Sequence, residues 1–367
     1  LLQLGAAGAA AMAFPALAQA RTIKLASTFD NSGSEKPSGE GCYKGATAYF
    51  NALNKAGGIN GAKVQLQMAD DQFKPDLARA NALALAADKS ILGLLAPVGT
   101  RQVAAVMEAV KDMAIVGPNS GTATLRKSNA ANVFWVRASY DQEVDKLIRT
   151  AITLGSTRIG IVHPNDPLGK SVLAAFERSM AEVKLTPAVV ATTPSTNSTE
   201  FEAAVQEAVK AAPQVLIMVM AGVAPQFVKA LRAAGSTSTV YGLSISASAS
   251  NIAALGSQSR GLGFAIVVPS PFAAKHEIVR RYHVDMMASG WNDWSLPSLE
   301  GYINARVMAE GLKRAGSGVT RESLIASLDR VESLDLGGIT ISYGRGNRIG
   351  SQFVDVAVVG ADGRIVS

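Results

Sequence analysis

The residues of this chain that could carry covalent chemistry are few and poorly spaced for it. Tyr241-Gly242-Leu243-Ser244-Ile245-Ser246 comes nearest to a nucleophile elbow, in which a serine sits between two glycines on a strained strand-to-helix turn. Ser246 stands where the second glycine belongs, so the turn that would expose a serine Oγ is missing. His163 closes a strand before Pro164-Asn165-Asp166 and has no nucleophile to activate. His276 and His283 lie two helical turns apart, too far for a zinc pair at i, i+4, and read as the flank of a solvated helix. Gly39-Glu40-Gly41 is followed by Gly45 at the wrong spacing for a dinucleotide loop, and no Gly-Lys-Ser/Thr cradle for phosphate occurs. The single cysteine, Cys42, excludes a disulfide framework and every zinc pattern built on paired cysteines. Asp70-Asp71 could pair as acids but fits better as the cap of the turn that follows. No catalytic residues, metal or cofactor are expected.

What remains is the chemistry of non-covalent binding. Val98-Gly99-Thr100 and Asn119-Ser120-Gly121-Thr122 offer hydroxyl and N–H donors with no carboxylate among them, beside helix starts, which is what an anionic group needs. Helix capping draws on the same residue types, so both readings stand at this level. A third polar stretch runs from Thr28 through Pro37-Ser38-Gly39 and reads as a surface loop. Trp291 and Trp294 with Pro297 read as a packed surface corner first and an aromatic ligand wall second.

These loops need elements to hold them. The chain has 367 residues, 48% hydrophobic and 17% charged, which is too long for one core of ordinary size and suggests two lobes. A net charge of +6 without a basic run makes nucleic acid an unlikely partner class. Short β-branched runs alternate with Ala-rich stretches of helical period, the pattern of an α/β fold with parallel sheets. One series has strands at Thr22 to Ser27, Lys63 to Ala69, Ile91 to Leu95 and Ala114 to Val116, with helices at Lys44 to Ala56, Leu77 to Asp88 and Arg101 to Met113. A second series of similar rhythm starts at Tyr140, with strands near Arg158, Val189, Val215 and Val240. The tail is expected to supply helices Ser298 to Ala315 and Arg321 to Asp329 and one closing hairpin from Thr340 to Val366. Residues 1–20 carry no charge and end in Ala18-Gln19-Ala20, the pattern of a secretory signal cleaved before Arg21. No later apolar run reaches the length of a membrane span.

The stretch Asn51 to Lys63, reading NALNKAGGINGAK, resembles the leucine/isoleucine/valine-type periplasmic solute-binding proteins of ABC importers. Further matches are the helix residue Asn81, Phe134-Trp135-Val136-Arg137, His163 to Gly169, Glu300-Gly301-Tyr302 and Arg314-Ala315-Gly316. The resemblance implies two Rossmann-like lobes joined by three crossings near Ala138, Val267 and Gly344. The first lobe would take 21–138 plus 268–344, the second 139–267 plus 345–367. It further implies a periplasmic monomer that captures a small carboxylate solute and delivers it to inner-membrane permease subunits. Ligand contacts are implied at Ser38, Val98, Gly99, Thr100, Asn119, Ser120, Gly121 and Thr122 of the first lobe. From the second lobe come Tyr140, Leu168, Ala221, Gly222, Ser244 and Ser246. The family's amino-acid binders place an aromatic where Leu168 stands and an acid where Ser244 to Ser246 stand. An ammonium would then lack a charge partner, so the expectation is an aromatic or branched acid, or an amino-acid-like carboxylate, with a branched-chain or other amino-acid or amide binder as the alternative. Asp141, Asp166 and Glu40 are the acids that could replace the missing one. A sensory module of the same fold would share the cleft and differ in its partner.

Overall fold

A computed structural model describes residues 21–344 and 346–367; the expected signal segment lies outside the described residues. Strands β1 (Thr22–Phe29), β2 (Lys63–Asp70), β3 (Ile91–Leu95), β4 (Ala114–Val116) and β5 (Val133–Phe134) form an all-parallel sheet of order β2-β1-β3-β4-β5. Strands β6 (Ile159–Pro164), β7 (Val190–Thr193), β8 (Val215–Met218), β9 (Thr239–Gly242) and β10 (Gly263–Ile266) repeat that topology as β10-β9-β8-β6-β7. The helices are α1 (Lys36–Lys55), α2 (Pro75–Ala87), α3 (Thr100–Ala109), α4 (Ala123–Lys127), α5 (Tyr140–Thr153) and α6 (Pro167–Glu182), then α7 (Glu202–Ala211), α8 (Ala224–Ala233), α9 (Ala249–Leu255), α10 (Glu277–Ala288), α11 (Leu296–Ala315) and α12 (Arg321–Leu328). None of the described helices is long and apolar enough to cross a membrane.

Both faces of each sheet are covered, which is why the strands read as continuous apolar runs. Successive residues point to opposite faces. Ala26, Leu94 and Ile115 pack with Val103 and Val106 of α3, while their neighbours Leu25, Leu95 and Val116 share a core with Ala46 of α1 and Tyr302 and Ile303 of α11. In the second sheet Ile161, Ile217 and Tyr241 face Val144 and Leu147 of α5, and Val162, Met218 and Val240 face Phe227 and Val228 of α8.

Three expectations are corrected. Helix α1 begins at Lys36, eight residues before the expected Lys44, because Pro37 occupies its first turn, where a missing N–H costs nothing. The stretch around Ser38 is therefore helix and not loop. The single hairpin expected from Thr340 to Val366 is two separate ones. Strands β11 (Leu334–Asp335) and β12 (Thr340–Ile341) form a small isolated pair, whereas β13 (Asp355–Val359) and β14 (Ile365–Val366) extend the second sheet, β13 running antiparallel to β10. Short β5 and α9 were not foreseen, being too brief to show a period.

Candidate ligand-binding cleft

In a sheet of this order the crevice opens at the carboxyl ends of the strands, where the connections leave in opposite directions. In the first sheet that point lies between β1 and β3, and in the second between β6 and β8. Residues following all four strands line one cavity of about 230 Å³, including Glu35, Val98, Leu168 and Ala221.

One wall is built to donate hydrogen bonds. The loops after β3 and β4 are bridged at Val98 and Asn119, with Asn119 N–H donating to Pro97 O at 2.8 Å and Gly99 N–H to Asn119 O at 3.2 Å. Gly99 precedes α3 with φ 96°, and a Cβ there would strike Gln102 and the Phe73 ring. Helix α3 has no side-chain cap, and its first residues Thr100, Arg101 and Gln102 line the cavity at the positive end of the helix dipole. Thr100 Oγ1 lies 2.9 Å from Ser120 Oγ and 3.1 Å from Thr122 Oγ1.

The implied contacts divide accordingly. Ser38, Val98, Gly99, Thr100, Asn119, Tyr140, Leu168, Ala221 and Ser244 line the cavity. Ser120 and Thr122 are buried one layer behind Thr100, and Gly121 is pressed against the Tyr140 ring while its carbonyl accepts the Tyr140 N–H at 2.8 Å. Gly222 borders an adjoining recess with Ser34 and Lys229. Ser246 is fully buried and donates to Met220 O at 2.6 Å, so its hydroxyl is turned away from the cleft. Trp294 stacks on His283 at 3.6 Å, outside the cavity wall.

The charged groups of the cleft were not found from sequence. Arg137, at the first crossing, is buried; Nη1 donates to Asn119 Oδ1 at 2.7 Å, and Nη2 donates to Glu143 Oε1 at 2.9 Å and to Ser244 Oγ. Glu143 in turn accepts the Ser244 N–H at 2.8 Å. Burial opposes the charge on Arg137, but the Glu300 and Glu143 carboxylates outweigh it and hold the guanidinium above its ordinary pKa. Arg126 donates to the carbonyls of Ser120, Arg137 and Ala138, each at 3.1 Å, and so clamps the crossing to the donor wall.

Two carboxyls reach the cavity from the first lobe. Glu300 projects from α11, and burial raises its pKa against the opposing pull of Arg137 and Arg126. Glu35 sits just before α1; Oε1 accepts the Gly222 N–H of the other lobe at 3.2 Å, and Oε2 accepts from Ser38 Oγ at 3.3 Å. Burial pushes Glu35 up to about 7 despite those two donors. The expectation of a cleft without an acid is thus corrected, and the three proposed substitutes are held by partners of their own, Asp166 while lining the cavity and the other two outside its lining. Asp166 caps α6 through Gly169 N–H at 3.0 Å and binds Thr196, Asp141 pairs with Arg178 at 2.6 Å, and Glu40 pairs with Lys44 at 3.0 Å. Phe73, held at φ 57°, adds an aromatic side chain to the lining. Arg137 and Glu300 lie inside motifs already singled out, but nothing local shows that they meet. Glu35 was masked by the loop reading of its segment.

Comparison with known proteins agrees with this architecture. A substrate-binding periplasmic protein from Ralstonia solanacearum is 32% identical, with 94% of this chain and 99% of that one covered at a TM-score of 0.85. A leucine-binding protein from Thermotoga maritima shares the fold at 18% identity, TM-score 0.82, with 94% and 97% covered. A solute-binding protein of an ABC transporter from R. palustris, in complex with benzoate, does so at 18% identity and TM-score 0.82, with 94% and 95% covered. No curated protein matches the chain in sequence. The family model described as periplasmic binding protein matches residues 22–364, which takes in the first sheet, all of the second but β14, and every wall of the cleft, and the chain belongs to that family, with the type I fold of its leucine-binding relatives.

Proposed function

We propose that the chain is the exported substrate-binding component of an ABC transporter, closing its lobes over a small aromatic or branched carboxylate and handing it to a membrane permease. The observation that carries this reading is the uncapped α3 N-terminus with Thr100, set in one cavity wall opposite Leu168 and Ala221. Fixed N–H donors and a helix dipole favour an anionic group, and the apolar facing wall suits its hydrocarbon part. The cavity lies below the roughly 300–1,000 Å³ of ordinary ligand pockets, which favours a small solute. Benzoate, held by the R. palustris neighbour, belongs to the proposed class. Lobe boundaries at 138, 267 and 344, cleavage after Ala20, a monomeric state and delivery to a permease are parts of the same proposal.

The test is a thermal-shift screen of small carboxylates on the mature chain, with hits measured by titration calorimetry. One-to-one binding without turnover supports the reading. Binding confined to uncharged solutes, or conversion of the solute to product, overturns it.

A further inference from the structure

Glu35 lines both the cleft cavity and the adjoining recess, and its surroundings are supplied by both lobes. Oε1 accepts the Gly222 N–H, from the loop after β8 of the second sheet, at 3.2 Å, and Oε2 accepts from Ser38 Oγ at 3.3 Å, which leaves the residue 8% exposed. Both bonds are long, and among the described residues no Lys, Arg or His nitrogen pairs with the carboxyl. Arg137 of the cleft lining is committed to Glu143 and Glu300, while Arg101 of the cleft and Lys229 of the recess are exposed to water. The other facing groups are acids. Asp166 and Glu300 share the cavity lining, and buried Asp30 accepts three backbone N–H groups, from Ser32 at 3.1 Å, from Gly33, and from Glu35 itself at 2.6 Å. Asp30 thus has three donors for its charge where Glu35 has two weak ones, and a second like charge in a dry seam is repelled.

We propose that the cleft takes a proton as a second ligand, which Glu35 binds as the lobes close over the solute and releases as they part. This rests on the carboxylate-binding reading above and adds to it. The proton passes from the medium to a Glu35 carboxylate oxygen and back again, so a solute anion and a proton enter together with no net change in charge. The Gly222 contact survives the exchange, because a protonated carboxyl keeps an oxygen able to accept. Parting the lobes removes Gly222 and returns Glu35 to water, where its charge is solvated. The shift has the matching sign: burial, and to a smaller extent Asp30, raise Glu35 from 4.5 to about 7 against the two hydrogen bonds. The closed form therefore holds the proton to higher pH than the open form does, and affinity for solute falls as pH rises from 4.5 through about 7.

The experiment titrates the mature protein by calorimetry with benzoate, or with the tightest carboxylate of the screen where benzoate is not bound. Titrations near pH 6 are run in MES and in imidazole, whose ionisation heats differ, and the dissociation constant is followed from about pH 5.5 to about pH 8. The expected result for the parent is uptake of roughly half to one proton per solute and a loss of affinity of about tenfold or more across that range. In Glu35→Gln, which keeps the shape of the protonated acid and does not titrate, the uptake disappears and the profile flattens. A merely structural tie between the lobes would change affinity by one factor at every pH, so the profile separates the two roles. Heats independent of buffer with a flat parent profile overturn the inference and leave the carboxylate reading standing, as does uptake that persists in folded Glu35→Gln. Binding of no carboxylate at all overturns both. If Glu35→Gln does not fold by circular dichroism, the infrared difference spectrum of the parent decides: a carboxylic acid carbonyl band that appears on binding supports the inference, and its absence overturns it.

Discussion

Glu35 is the residue whose protonation is most tightly bound to the shape of the molecule. Its carboxyl joins the lobes through Gly222 N–H, and burial raises it from 4.5 to about 7. A raised carboxyl pKa means that the native state takes up a proton, so the associated stability is complete below 4.5 and is lost as pH rises toward 7. Asp71, pushed up to about 6 chiefly by burial, acts in the same direction. Melting temperature should therefore fall between pH 5 and pH 8, and should fall less in Glu35→Gln. A shift of this size corresponds to at most about 3 kcal/mol. Identical pH profiles for parent and variant would remove Glu35 as the cause. The hydroxyls behave differently from one another. Thr100→Ala should weaken a carboxylate ligand by roughly ten- to a hundredfold and leave stability nearly unchanged. Ser120→Ala, one layer behind, should cost about 1 kcal/mol in chemical denaturation and affect binding less. The donor wall was legible from residue types and loop position alone. The acids were not, because Glu35, Arg137, Glu143 and Glu300 become a site only through partners as far as 187 residues away, as in the bond from Gly222 to Glu35.

Helices α1 and α11 position both cleft carboxyls, and they do so by unusually close packing. A Cβ on Gly45 would strike the Ser298 carbonyl, and one on Gly301 the Cys42 carbonyl, so each helix rests on the other's backbone. Gly45→Val or Gly301→Val should destabilise the protein by more than the about 1–3 kcal/mol of ordinary overpacking, since the atoms met are backbone. Any folded fraction should bind solute more weakly because Glu300 is displaced. Unchanged denaturation midpoints would contradict the packing described. At this scale the sequence was readable where elements are long and periodic. The strands β1, β3 and β4 and the helix α11 appear within two residues of expectation. It was unreadable where one residue sets a boundary, as Pro37 does for α1, and where pairing is decided by distant chain, as for β13.

Across the whole molecule, the two lobes are tied deep in the cleft by Arg137, which donates to Glu143 at 2.9 Å and to Ser244, whereas at the mouth the polar contacts described are Gly222 to Glu35 at 3.2 Å and Asn197 to Ser34 at 3.4 Å. A mouth held so lightly implies that solute, gripped from both sides, contributes to the closing free energy. Ligand at a hundredfold excess over Kd should stabilise the fold by about 2.7 kcal/mol, read as a rise in melting temperature. Small-angle scattering should show a smaller radius of gyration with solute present, and an unchanged radius at saturation would count against hinge closure. The antiparallel pairing of β13 with β10 has a further consequence, for the order in which the protein can be completed. The first lobe waits for α11 and α12, and the second for β13, so no contiguous half of the chain is a finished body. Until 355–359 arrives, β10 presents an open strand edge able to recruit a neighbouring chain. A chain emerging from a membrane channel from its amino end would pass through a stage in which both lobes are roughly formed and neither is sealed, which makes that interval the one where a chaperone or a protease has most to act on.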